Sequence, residues 1–339
     1  MKVRLLVPAL TLALVAAGCS SSDDKPDPKA SRAAAQKIVE VSPLTGRPMP
    51  NGRPDNPVFI VKIENTEGGA PQYGLDQADL VVEELVEGGL TRLAAFFYST
   101  LPSKVGHVRS MRATDIGIAA PVDGQIVASG GASGTIRKVK KAGIRVWSED
   151  EGAPGFSSDP LKVRPYNRLI DLKRLDRSAK VTTIPGPYLP WVSPDAKKSA
   201  APSASASAST PAPRKVSRAT VRFSPSTQTS WKLSGGAWRR TNGHAAKEYP
   251  ADTLVVMFCD VGDAGYTDPA GNPVPETKVV GSGRAVVMHG GEAVEATWRK
   301  ASKKAEIVFT DKAGKPLELD PGRVWIELVP KGQGSLDAK

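Results

Sequence analysis

Cysteine, histidine and aromatic residues are scarce in this chain. Among 339 residues there are 2 cysteines and 3 histidines, and aromatics make up 6 %. The cysteines, Cys19 and Cys259, close at most one disulfide, and none if Cys19 is modified. Cys259 ends the apolar run TLVVMFC with no base beside it in sequence, so it reads as a small buried hydrophobe rather than a reactive thiol. His107, His244 and His289 lie far apart and form no cluster with cysteine, which argues against a zinc site. A triad of Ser133, His107 and Asp115 is conceivable only on paper. No Gly-Lys-Ser/Thr is present, so there is no Walker loop, and GASGT at 131–135 misses the Gly-x-Ser-x-Gly nucleophile elbow. No nucleic-acid motif occurs. The apolar run Leu5–Ala17 falls short of the roughly 20 residues that a spanning helix needs.

That run has another reading. Lys2 and Arg4 precede it and VAAGC closes it, the layout of an export signal over residues 1–18. Small residues directly before a cysteine resemble the lipobox of bacterial lipoproteins, with Cys19 as the diacylated new N-terminal residue. Ala16 stands where leucine is commonest. Residues 19–40, beginning CSSSDDKPDPKA, read as a disordered tether. The expectation is an extracytoplasmic protein, lipid-anchored to the cell membrane, with no spanning helix in its mature form. The net charge is +11, and loss of Lys2 and Arg4 with the signal leaves +9. A basic protein beside a membrane suits anionic neighbours: headgroups, wall polymers or phosphorylated glycans.

Composition shifts again at 193–218, an Ala/Ser/Pro-rich stretch with almost no large apolar groups, expected to be a disordered linker or insertion. It divides the chain into units at 41–192 and 219–332, with a flexible tail at 333–339. The first mixes strand and helix patterns. NPVFIVKIEN reads as a strand, and ADLVVEELVEGGLTRLAAFFYS as a hairpin turning at Glu87-Gly88-Gly89. SMRATDIGIAA, SGTIRKVKKAG and NRLIDLKRLD read as helices. This predicts an α/β or α+β domain with a mixed sheet. The second carries short strands separated by Gly-Gly, Asn-Gly and His-Gly-Gly turns, predicting a small mostly-β domain of sandwich or barrel type. Trp231, Trp238, Trp298 and Trp325 are its expected anchors, an aromatic sugar-binding face being the alternative.

Charges crowd one part of the first unit. Glu83 and Glu87 end one hairpin strand and Arg92 begins the next; Glu83 faces Arg92 if the turn is Glu87-Gly88, and Leu85 does if it is Gly88-Gly89. In HVRSMRATD, a helix capped by Ser110 would set Arg109 and Arg112 near its first turn with Asp115 one turn on. Arginine is misplaced at the positive end of a helix unless an anion sits there. Gly131, Ser133 and Gly134 form a glycine-rich turn after a strand, either an anion cradle or ordinary turn glycines. The candidate anion site is therefore Arg92, Arg109, Arg112, Ser110, Gly131, Ser133 and Gly134, with Glu83, Glu87 and Asp115 orienting the arginines or holding a divalent cation. The alternative is a structural network stapling helix to hairpin.

The same residues carry a family likeness. Pro71, Gln72, Gly74, Leu75, Ala78, Asp79, Glu83, Glu87–Gly89, Thr91, Arg92, Val108–Ser110 and Arg112 match the motif of the YerB-like bacterial lipoproteins, a family of a domain of unknown function, which this chain resembles. VRPYNRL resembles the family's Arg-x-x-Pro-His-Asn segment, adding Arg164 and Asn167 as secondary candidates, with Tyr166 in place of histidine. WRRTNG, GSGRAVVMHGG, TWRK and PGRVWIELVP resemble its C-terminal domain. The resemblance implies location and architecture, and the family has no established activity. The leading expectation is a binding protein for an anionic envelope polymer or lipid-linked glycan. A divalent-ion-dependent phosphotransferase or hydrolase on an envelope phosphate ester is one alternative, and an interaction scaffold with a membrane-protein partner is another. No cofactor is identified.

Overall fold

A computed structural model describes residues 40–193, 213–268 and 271–339. Cys19, the signal and tether up to residue 39, and residues 194–212 of the Ala/Ser/Pro-rich stretch lie outside the described residues.

In the first half, β1 (Phe59–Glu64), β2 (Leu80–Leu85) and β3 (Thr91–Phe97) are mainly apolar runs broken by a few charges, buried along nearly their whole lengths. β3 lies antiparallel between β2 and β1; β5 (Gln125–Ala128) and β6 (Val146–Ser148) continue the sheet in parallel beyond β1. β4 (Val105–Gly106), β7 (Phe156–Ser158) and β8 (Arg168–Ile170) form a small separate sheet. The helices are short: α1 (Asp115–Ala119), α2 (Ser133–Lys141) and α3 (Leu172–Asp176). α2 ends where predicted, with Gly143 at φ 73° just past its C-terminus.

The second half is almost all strand. It runs β9 (Arg214–Lys215), β10 (Arg218–Arg222), β11 (Gln228–Ser234), β12 (Ala237–Arg240), β13 (Thr253–Cys259), β14 (Val261–Thr267) and β15 (Pro273–Thr277). It continues with β16 (Gly281–His289), β17 (Glu292–Lys300), β18 (Val308–Asp311), β19 (Pro316–Leu317), β20 (Val324–Pro330) and β21 (Ser335–Ala338). A mixed sheet with few helices in the first half, and several mostly-β sheets in the second, is the expected fold class.

The halves share one sheet. Its order is β19-β18-β17-β16-β13-β20-β2-β3-β1-β5-β6, and β9 adds a twelfth strand beside β17. The joint is β20 against β2, parallel, from Leu80↔Val324 to Glu84↔Leu328. The described residues from 40 onwards form one compact unit. The sequence division at 193–218 thus marks a composition shift, with sheet hydrogen bonds running across it in space. The sheet β12-β11-β10-β21 covers one face of the large sheet, packing Val221, Phe223, Trp231 and Trp238 against Val81, Ala95, Leu254 and Trp325. The opposite face carries Leu80, Val82, Phe96, Ile326 and Leu328 under Ile116, Ile118 and Tyr188.

Three expectations need correction. The 333–339 tail is edge strand β21, registered on β10 from Ala219↔Ala338 to Arg222↔Ser335. NRLIDLKRLD splits into β8 and α3, because Asp171 caps the helix by accepting the Arg174 backbone N–H at 3.0 Å. SMRATDIGIAA turns helical only at Asp115. The four tryptophans are core: Trp231 and Trp325 meet edge-to-face at 5.1 Å, and all four are at most 2 % exposed. Cys259 is buried and free, and burial pushes its thiol well above the usual cysteine range.

Because β2 takes its outer partner from β20, a fragment of residues 40–193 alone should be largely unfolded by circular dichroism, whereas the chain through 339 unfolds cooperatively in urea. A cooperative transition of the fragment would show that the seam is dispensable. Trp325→Ala, which empties the layer between the two sheets, should cost about 3–5 kcal/mol in the same urea measurement.

Candidate anion-binding site

The turn between β2 and β3 sets the site. Glu87–Gly89 is a three-residue turn, with Gly88 and Gly89 at φ 69° and 73°, values that favour glycine. An odd-length turn excludes both registers considered from sequence. Arg92 faces Glu84 on β2 and Glu64 on β1. One row thus crosses three strands, Glu84–Arg92–Glu64, and Lys62 shares that face two residues before Glu64.

Glu83 is consequently on the other face, away from the arginines. There it accepts hydrogen bonds from Thr229 (2.9 and 3.1 Å) and Asn65 (3.0 Å), and it lies opposite Glu327 in the β2–β20 register. Burial and the Glu83 carboxylate beside it hold Glu327 well above the usual carboxylate range. Trp231 donates to Glu327 at 2.8 Å. The role of arginine-orienting carboxylate expected of Glu83 belongs to Glu64, with Glu84 below.

The loop 109–114 lies over this row. The Arg109 backbone N–H donates to Lys62 O at 2.8 Å, and the Glu64 N–H to His107 O at 2.9 Å, which zips the loop to the end of β1. Ser110 starts no helix; Asp115 does, and its Oδ2 accepts the Arg112 N–H at 2.6 Å. Asp115 Oδ1 meets Lys62 Nζ at 2.6 Å, and Lys62 Nζ meets Glu84 Oε1 at 2.5 Å, with all three side chains fully buried. Burial works against the Lys62 ammonium, but Asp115 and Glu84 outweigh it and hold its pKa above the usual lysine value. Burial and Asp115 push Glu84 up to about 7.

Above this triad sit the arginines. Arg112 makes a two-pronged contact with Glu87, Nε at 2.6 Å and Nη2 at 2.5 Å. Burial opposes its charge, but this fork keeps its pKa above the usual arginine value. Arg109 Nη1 donates to Glu64 and lies 4.9 Å over the Tyr166 ring. Arg92 differs. Its nearest carboxylate contact is Nη2 to Glu64 at 3.9 Å, and its Nε and Nη1 are buried with no partner. Burial, Arg112 and Arg109 pull it down to about 10.

The glycine turn abuts the loop but its space is filled. A side chain at Gly130 would meet Asp150, at Gly131 Met111 and at Gly134 Tyr266, so these glycines serve close packing, which removes the case for a cradle. Ser133 is exposed at the start of α2. Arg164 is exposed and shares Glu149 Oε1 with Arg168, at 2.8 and 2.6 Å; the buried Asn167 Oδ1 has no partner. That segment reaches the site through Tyr166 alone of the residues singled out in it. Among the described residues no group of three His, Cys, Asp or Glu side chains is placed to hold a metal ion. His107 and Ser133 are not paired either: the His107 ring contacts Gly69 O at 2.8 Å and Asp159 Oδ2 at 3.0 Å. Lys62 and Glu64 were not among the candidates. Their signal was the pair of charges two residues apart in FIVKIE, a strand otherwise wholly apolar.

A mixed-sheet α+β protein, with halves distant in sequence joined in one sheet and a buried row of alternating charge at its end, is the class these features define. Residues 44–184 match the family model described as "Protein of unknown function (DUF3048) N-terminal domain", and residues 219–326 match its C-terminal domain. The chain belongs to this family. It is similar to "Putative lipoprotein YerB" of Bacillus subtilis (strain 168), 24% identical over 323 residues that span 92% of this chain and 90% of that protein. The crystal structure of the YerB protein from Bacillus subtilis shares the fold at a TM-score of 0.70, with 19% identity, covering 88% of this chain and 99% of that one.

The Glu84 shift makes stability depend on pH. A carboxyl raised on folding stabilises most below its ordinary value, 4.5, and that contribution is lost as pH rises through about 7. Melting temperatures should therefore fall more steeply over this window in wild type than in Glu84→Gln. Parallel profiles for the two proteins would show that Glu84 is ionised throughout. Lys62→Ala removes the cation shared by the buried Asp115 and Glu84 and should cost about 3–5 kcal/mol by urea denaturation.

Proposed function

We propose that this protein is a membrane-anchored, extracytoplasmic lipoprotein whose arginine row binds an anionic, phosphate-bearing ligand of the cell envelope. The observation that carries this reading is Arg92. Its residue is only 7 % exposed, yet two of its guanidinium nitrogens have no partner. A buried donor left unmade costs about 1–3 kcal/mol, and more on a charged group. Phosphate oxygens supply acceptors for the donors that Arg92 leaves unmade, and guanidinium is a preferred partner of phosphate.

Charge supports the same reading. Lys62, Arg92, Arg109 and Arg112 face Glu64, Glu84, Glu87 and Asp115. Below about pH 7, where Glu84 is protonated, the cluster holds one surplus positive charge, and at any pH three guanidiniums crowd around two carboxylates, Glu64 and Glu87. An anion relieves that repulsion. The carboxylates are already engaged, Glu84 and Asp115 by Lys62 and Glu87 by Arg112, which favours binding over divalent-ion-dependent transfer. Cys19 carries the lipid, a role its sequence setting supports and that agrees with the name of the Bacillus subtilis relative.

Thermal unfolding with phosphate, pyrophosphate and sulfate tests the site. At 100 times its dissociation constant a bound anion stabilises by about 2.7 kcal/mol. Wild type should show that shift and a still-folded Arg92→Ala/Arg109→Ala variant should not. No shift in wild type, with the variant already melting early, would make the arginines structural staples. Sulfate, which does not titrate in this range, should bind more tightly as pH falls through about 7, because Glu84 loses its charge there. Cys19→Ala should move the protein from the membrane pellet to the soluble fraction; retention in the pellet would sink the anchor.

A further inference from the structure

A second polar feature lies at the same end of the sheet, on the face opposite the arginines. Asn65 follows Glu64 and Thr91 precedes Arg92, and both turn towards the β11–β12 hairpin. Between them and the hairpin is a cleft of ≈ 280 Å³. That volume is at the lower edge of the roughly 300–1,000 Å³ typical of small-molecule sites.

Its lining divides into fixed and open groups. Asn65 makes four bonds, donating to Glu83 (3.0 Å) and Thr91 (2.9 Å) and accepting from Gln72 (3.0 Å) and Arg240 (2.9 Å). Arg240, the one cation in the lining, is fully engaged by Asn65, Gln72 and Glu248 and lies 4.8 Å over Trp325. Thr229 is held by Glu83. These contacts make a rigid wall. The open groups are the Thr66 and Thr227 hydroxyls, the Gln228 amide nitrogen and the His244 ring, all lining the cleft. Leu90, 41% exposed, gives the rim an apolar patch.

We infer that this cleft is a second binding site, for a neutral, hydroxyl-rich ligand: a saccharide unit. The open groups are uncharged donors and acceptors, which match hydroxyls that both give and take hydrogen bonds. The C–H face of a sugar ring suits Leu90. An anion meets no unengaged cation here, and an apolar ligand would strand the hydroxyls and amide without water. The volume fits a single ring or a glycan end. The inference does not depend on the arginine row.

Saturation-transfer NMR on the full-length protein tests it, with glucose, mannose, galactose, N-acetylglucosamine and its tetramer as probes. At least one saccharide should give transfer in wild type. Gln228→Ala/His244→Ala, which removes two open groups, should weaken its affinity about tenfold. Thr227→Trp, which fills the cleft from a half-exposed position, should abolish it with the melting temperature unchanged. Arg92→Ala should leave the saccharide signal intact, separating this site from the anion site. Silence across the panel in wild type, or a signal that survives Thr227→Trp in the folded protein, overturns the inference.

Discussion

Leu80–Glu84 lies parallel to Val324–Leu328, and this seam between strands more than two hundred residues apart governs the rest. It puts two glutamates, Glu83 and Glu327, side by side in full burial. Two buried carboxyls so placed are tolerable only if one is protonated and both are hydrogen-bonded. Glu327 is the one whose pKa is raised, Trp231 donates to it, and Thr229 and Asn65 donate to Glu83. A slip of one residue would turn Glu83 towards the arginines and Glu84 into the tryptophan layer. The polar contacts therefore fix a register that the apolar residues on both faces leave open. Such specificity from buried polar groups is a known trade against raw stability.

From that register the charge row follows. β2 in its place directs Glu84 to the face where Lys62 and Asp115 meet it, and β3 brings Arg92 into line with Glu64. The row is layered by depth. The lysine triad lies at the bottom with complete burial, and the arginines lie above it with a small exposed edge. Attraction closes the lower layer. In the upper layer Arg112 and Arg109 each hold a carboxylate closely, and Arg92 has only the 3.9 Å contact to the Glu64 that Arg109 already holds. The buried charge most in need of a partner is thus the one nearest both neighbours of like sign.

Much of the fold was legible. The strand runs of the first half, α2 with its glycine stop, and the glycine-separated strands of the second half all follow from local periodicity and turn chemistry. The charged segment was also legible as a place, through charges set in apolar strands. Pairing was not. Whether Glu83 or Glu84 faces Arg92 rests on a turn of odd length, and EGG permits even and odd turns alike. Lys62 and Glu64 escaped because their strand read as continuous core, although alternate charges on one face were the clue. The Ala/Ser/Pro-rich stretch suggested separate units, since composition records where the chain leaves the core and carries nothing about which strands meet in space.

The same end of the sheet also explains why two polar sites stand back to back. Strand residues alternate between faces, so adjacent residues in sequence serve opposite sites: Glu64 and Asn65, Arg92 and Thr91. The arginine face is open in charge, with two nitrogens of the Arg92 guanidinium unpaired. On the other face the only lining cation, Arg240, is closed off by Glu248 and two amides. A ligand recognised on one face by charge and on the other by hydroxyl complementarity would have to carry both kinds of group. Glu83 bears on both, through its place in the seam that sets the register and its bond to Asn65. A change there should disturb the register first, and with it the row and the cleft together.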